Sequence, residues 1–95
     1  MKQKITLSSP IEINGVKTDT LCMREPTVGD QLDADKLHDD AGQRELYMFS
    51  RVCECAPDDL RRLTLRDLGR LQKAWLRLVG EPERDSDVAV VDQVA

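Results

Sequence analysis

A chain of 95 residues with 40% hydrophobic and 3% aromatic content has room for one small core of Leu, Ile, Val and Met, and none for a deep aromatic pocket. Its formal net charge of −4 is unevenly spread: four cations face two acids over residues 1–24, three face ten over 25–59, six face one over 60–80, and one faces five over 81–95. Such polarity suits internal pairing or docking onto a complementary surface, and argues against a general attraction to polyanions.

The chain opens with KITLSSPIEINGVKTDTLCM, in which apolar and polar residues alternate around Asn14-Gly15. Both turn positions tolerate positive φ, so the spacing predicts strands near residues 3–8, 10–14 and 16–23, forming a hairpin or a three-stranded meander. Pro10 lacks a donor N–H and is expected at a strand start or an edge. A hairpin alone is marginal in water, so it must pack on helices.

Next, MREPTVGD reads as a joint. Pro26 keeps Glu25 extended, Thr27 and Asp30 cap a helix expected over residues 28–38, Gly29 allows a close approach, and Arg24 is placed to anchor the joint to carboxylates. A second helix is expected over residues 43–55, with Leu46, Phe49 and Cys53 on one face and Pro57 ending it. Asp58 opens a brief turn carrying Leu60 and Leu63.

Thr64 and Asp67 repeat the capping pattern and start a helix that runs to Gly80, expected as a left-handed cap before Pro82. At about 100° per residue, Leu68, Leu71, Trp75, Leu78 and Val79 share one face, and Arg66, Arg70, Lys73 and Arg77 line the opposite one. The expected fold class is therefore α+β: an N-terminal hairpin or meander and about three helices over residues 1–80. Residues 81–95 form an acidic segment without capping logic, expected as a flexible tail.

No apolar run reaches the roughly 20 residues that cross a bilayer, and the N-terminal stretch lacks the apolar segment of a signal peptide, so a cytosolic setting is expected. Cys22, Cys53 and Cys55 are an odd count without framework spacing, and read as reduced thiols. The two thiols of CEC would point about 200° apart on a helix, which disfavours metal ligation. The lone His38 lies in an acidic run where a carboxylate would merely solvate it, so no catalytic base is evident. DADKLHDD lacks the alternation of a calcium loop. No catalytic, metal or cofactor-binding residue is expected.

Two surfaces remain. The face carrying Leu68, Leu71, Trp75 and Leu78 is chiefly core, and any uncovered part would receive an apolar partner helix or a second copy of the chain. The Arg66, Arg70, Lys73 and Arg77 stripe could track phosphates, pair with Asp33, Asp35, Asp39 or Asp40, or dock an acidic helix.

The order ITLSSPIEINGV, then TLCMREPTVGD, then LRRLTLRDLGRLQKAWLRLVG resembles the small tail assembly chaperones of tailed bacteriophages, the E-type proteins of contractile-tailed phages. The resemblance covers most of residues 5–80. It rests on Leu7, Pro10, Ile11, Gly15, Leu21, Arg24, Pro26, Thr27, Gly29 and Asp30, then on Leu60, Leu63, Asp67 and Leu71, with Met23 where the family tends to Leu. It implies a non-enzymatic protein of phage or prophage origin, acting in the bacterial cytoplasm. Such a protein binds the long helical tape measure protein and helps tail tube protein assemble around it; family members can also occur as a frameshifted, extended product. The alternative function is a small nucleic-acid-binding regulator using the basic stripe, with Arg61 and Arg62 added.

Overall fold

The computed structural model describes residues 1–80, so the expected acidic tail lies outside the described residues. The chain runs β1 (Lys2–Ile13), β2 (Val16–Arg24), α1 (Val28–Leu37), α2 (Ala41–Val52), α3 (Pro57–Leu60) and α4 (Leu65–Val79). It is an α+β fold with an antiparallel two-stranded sheet.

Asn14 and Gly15 take φ values of 55° and 80°, the left-handed pair that a two-residue hairpin turn demands. The two segments expected as separate strands before this turn are one strand, β1, with an irregularity inside it. Thr6 pairs with Thr20 and Ile11 with Thr18, so Leu7, Ser8, Ser9 and Pro10 stand opposite Asp19 alone. Such a bulge breaks the ladder and accommodates a proline that has no N–H to give.

Alternation places Ile5, Leu7, Ile11, Leu21 and Met23 on the buried face. Against it lie Phe49 and Val52 from α2, Leu60 from α3, and Leu71, Ala74 and Leu78 from α4. Phe49 meets Trp75 edge to face at 5.6 Å between ring centroids and 82° between planes, a favourable geometry for two aromatic quadrupoles. Helix α4 packs on both strands, α2 on β2, and α3 on β1.

Helix α1 is different, because it rests on α2 and buries only Asp30 and Ala34. Arginines of α2 add to its attachment: Arg44 lies 3.7 Å from Asp35, and Arg51 lies 3.6 Å from Asp30 and 3.5 Å from Asp33. The acids of α1 are thus engaged by α2, not by the α4 stripe that was one expectation for them.

Helix boundaries follow local caps. Asp40 accepts from the Gln43 amide and starts α2 at Ala41, two residues before the expected start. At its other end Cys55 N donates to Ser50 O and Glu54 N to Arg51 O, while Glu54 takes φ 55°. This is a Schellman motif with glutamate in the position glycine usually holds. Gly80 is not left-handed as expected; it takes φ −83° and ψ 160°, and its N–H donates to Leu76 O.

Candidate functional site

Two aspartates, each third in its helix after a threonine cap, are the buried charges around which the molecule is joined. Thr27 Oγ1 accepts from Asp30 N at 3.2 Å, and the Asp30 carboxylate takes the Thr27 N–H at 2.9 Å, completing a reciprocal capping box. Both oxygens of that carboxylate also receive Arg24, at 2.8 and 3.0 Å. This forked pairing fixes the end of β2 to the start of α1. The Arg24 bond, followed by the Thr27 amide, overcomes the opposing effect of burial and holds the Asp30 carboxyl down at about 2. The same bond raises the Arg24 guanidinium. The close approach expected at Gly29 is not found: a Cβ there would meet Thr27 Oγ1 at 3.6 Å, ordinary contact distance.

Asp67 uses the same sequence pattern for a different purpose. Thr64 Oγ1 accepts from Asp67 N at 3.2 Å, but the Asp67 carboxylate reaches across to the bulge of β1. It accepts the Ser8 N–H at 2.8 and 3.0 Å, the Ser8 hydroxyl at 2.9 Å and the Ser9 N–H at 3.1 Å. Burial pushes its carboxyl up, yet these donors and nearby Arg70 outweigh burial and leave it below its ordinary value. The fully buried carboxylate therefore satisfies amides that the bulge withdraws from the ladder.

These locks leave an apolar groove of about 340 Å³ where α2 and α4 meet beside α1. Met48, Phe49, Trp75 and Leu76 supply its apolar surface, with Gln31, Arg44, Glu45 and Gln72 completing the lining. Gln72 donates to Glu45 at 3.0 Å, tying α4 to α2. Leu76 is 66% exposed, whereas Leu71 is 0% and Leu78 5% exposed. Of the apolar face expected from sequence, Leu71 and Leu78 are core, while Leu68 and Trp75 are half-buried. The expectation missed Leu76 because a helical wheel places it between the apolar and polar faces.

Arg66, Arg70, Lys73 and Arg77 are all exposed. Arg70 donates to Thr6 O at 2.7 Å, so one member of the stripe also holds β1. Cys53 and Cys55 pack against the core, where burial first, with neighbouring negative charge second, raises their thiols to about 12 and about 11. Cys22 is exposed. His38 faces Tyr47 at 5.6 Å between ring centroids. Among the described residues, no group of three or more His, Cys, Asp or Glu is placed to hold a metal ion, and no helix is long and apolar enough to cross a membrane.

The geometry defines a small scaffold whose buried carboxylates join its elements and which carries an apolar groove between α2 and α4. Residues 4–80 match the family described as phage tail assembly chaperone proteins, E, or 41 or 14, and the chain belongs to that family. No curated protein and no solved structure matches it. The segments that carry the resemblance coincide with the two locks: LSSPI and the later LRRLTLRDLGRL meet through Ser8, Ser9 and Asp67, while REPTVGD closes on itself through Arg24, Thr27 and Asp30.

Proposed function

We propose that this tail assembly chaperone binds an apolar helical segment of the tape measure protein in the α2–α4 groove. It acts without catalysis in the bacterial host cytoplasm, keeping the client soluble while tail tube protein assembles around it. The observation that carries the reading is the exposed Leu76 beside half-buried Trp75, over an apolar floor of Met48 and Phe49. Hydrophobic positions at helical spacing on a client can enter such a groove, and its polar lining can orient them. Leu68 and Trp75, from the face expected in the sequence, supply partly exposed apolar surface, whereas Leu71 and Leu78 support the floor from within.

Coexpression with a candidate tape measure protein, followed by pull-down at low and high salt, tests the proposal. Capture is expected to survive high salt, because apolar burial is not screened. Leu76→Asp is expected to weaken capture at least about tenfold, corresponding to roughly 1.4 kcal/mol or more, while circular dichroism stays that of the parent. Trp75→Ala, checked for folding in the same way, is expected to weaken capture as well. Undiminished capture by a folded Leu76→Asp variant overturns the groove assignment; no capture by the parent at either salt overturns the client assignment.

A further inference from the structure

We propose that a second copy of this chain covers the open side of α4, the two α4 helices lying antiparallel about a two-fold axis at Gln72, and that a client helix displaces this copy. The pairing concerns α4 alone; the displacement rests on the client reading of the α2–α4 groove.

That groove does not end at Trp75. A second groove of about 310 Å³ shares Glu45 and Phe49 with it and continues to Leu68 and Leu65 at the start of α4. Along this seam Leu65 is 84% exposed, Leu76 66% and Val79 49%, while Leu68 and Trp75 are half-buried. Contiguous open apolar surface of this kind marks a place where another chain docks.

The spacing indicates the occupant. Leu65 and Val79 stand seven residues either side of Gln72, Leu68 and Leu76 stand four, and Gly69 and Trp75 stand three. All of them fall within about 60° of Gln72 round the helix, at about 100° per residue. A two-fold contact requires a patch that matches itself when reversed. This stripe does so: Leu65 comes level with Val79 of the second copy, Leu68 with Leu76, and Gly69 with Trp75. The cations Arg66, Arg70, Lys73 and Arg77 lie about 100–160° round the helix from Gln72, so the pairing does not press like charges together.

The pairing also gives Gly69 a use that one chain does not. Glycine weakens a helix interior, yet Gly69 lies inside α4 and a Cβ there would meet nothing within 4 Å. Level with an indole, a bare glycine lets the second backbone come close. Gln72 is exposed in the middle of the apolar stripe and donates one N–H to Glu45 at 3.0 Å. A primary amide has a second N–H and a carbonyl besides. On the two-fold axis these meet the same groups reversed, so each Gln72 donates to and accepts from its counterpart. One polar pair within an apolar seam fixes register and direction.

Sedimentation equilibrium of the full-length chain is expected to show a concentration-dependent dimer. Gly69→Leu fills space that is open in a single chain, so circular dichroism and Tm should be retained. The dimer dissociation constant should nevertheless rise about tenfold or more, the scale of overpacking a close contact. Thiol crosslinking reads the direction, in a Cys22→Ser background that removes the exposed thiol. Mixed Leu65→Cys and Val79→Cys proteins should join to each other in preference to like with like. Adding a candidate tape measure segment should convert the dimer into a complex holding a single chaperone chain. A monomer from micromolar to millimolar concentration, a dimer unaffected by Gly69→Leu, or like-with-like crosslinks overturn the pairing and leave the client reading standing. A dimer with no client captured by either the parent or Gly69→Leu supports the pairing and overturns the client reading. A client bound without dissociating the dimer overturns the displacement.

Discussion

Asp67 acts as a side-chain substitute for a strand partner. The bulge leaves the Ser8 and Ser9 amides needing an acceptor, and one buried carboxylate takes both. Asp67→Asn keeps the shape but replaces one accepting oxygen by a donor facing donors, and is expected to cost about 2–3 kcal/mol in urea unfolding. Ser8→Ala removes only the hydroxyl bond and should cost about 1 kcal/mol. Equal losses for the two variants would show that the backbone amides are not the important donors. At the end of α2, Glu54 sits at φ 55°. Relief of its left-handed backbone by Glu54→Gly should raise stability by about 1 kcal/mol and increase Tm. The Thr27 and Asp30 cap was readable because both residues lie in one short segment. Asp67 looked like the same cap, and nothing local told that its carboxylate would turn outward to Ser8.

At the scale of elements, α1 is fastened by charge where the other long helices are fastened by apolar faces. Its sequence VGDQLDADKL has no coherent apolar side, and Val28, Leu32 and Leu37 remain exposed. Arg51→Gln removes the ion pairs to Asp30 and Asp33 together. Hydrogen exchange within α1 is then expected to accelerate by roughly three- to tenfold, from about 0.2–1 kcal/mol per partly exposed pair, while exchange in α4 stays near the parent rate. Equal acceleration in both helices would mean that α1 and the core open as one unit. The sequence made α4 legible through its strong periodicity and Thr64 cap. The start of α2 was harder, because HDDAG both ends one helix and caps the next, with Asp40 serving α2 only two residues after His38 closes α1. The division of β1 was also hidden, since Pro10 signals a break but not whether the chain resumes against the same partner.

For the whole molecule, both locks make stability depend on acid. Asp30 falls from an ordinary value of 3.8 to about 2 in the folded protein, and Asp67 is also lowered. Between the unfolded and folded values the unfolded chain binds more protons, so stability decreases as pH falls. The contribution is fully present well above pH 4, and is lost progressively from about pH 4 toward pH 2. Urea midpoints measured across this range should therefore fall steeply below pH 4; Asp30→Asn should flatten the fall, and an unchanged slope would mean that Asp30 is not a source of it. The hairpin, the helix order and the α+β class were legible because each has local turn, cap or periodic signals. The candidate groove was less so: it depends on how α2 crosses α4, which decides that Leu76 is open while Leu71 is closed.

The bond between Ser8 and Asp67 spans 59 residues, and this gives the fold a history as well as a shape. At a synthesis rate of roughly 5–20 residues per second, Ser8 precedes its acceptor by roughly 3–12 s. During that interval the nascent β1 has no carboxylate to take its bulge amides. The Ser8-Ser9-Pro10 break then has a second use: a hydrated, proline-interrupted strand is a poor template for another unfinished chain. The same irregularity that receives Asp67 in the finished protein shields the growing one until that residue is made.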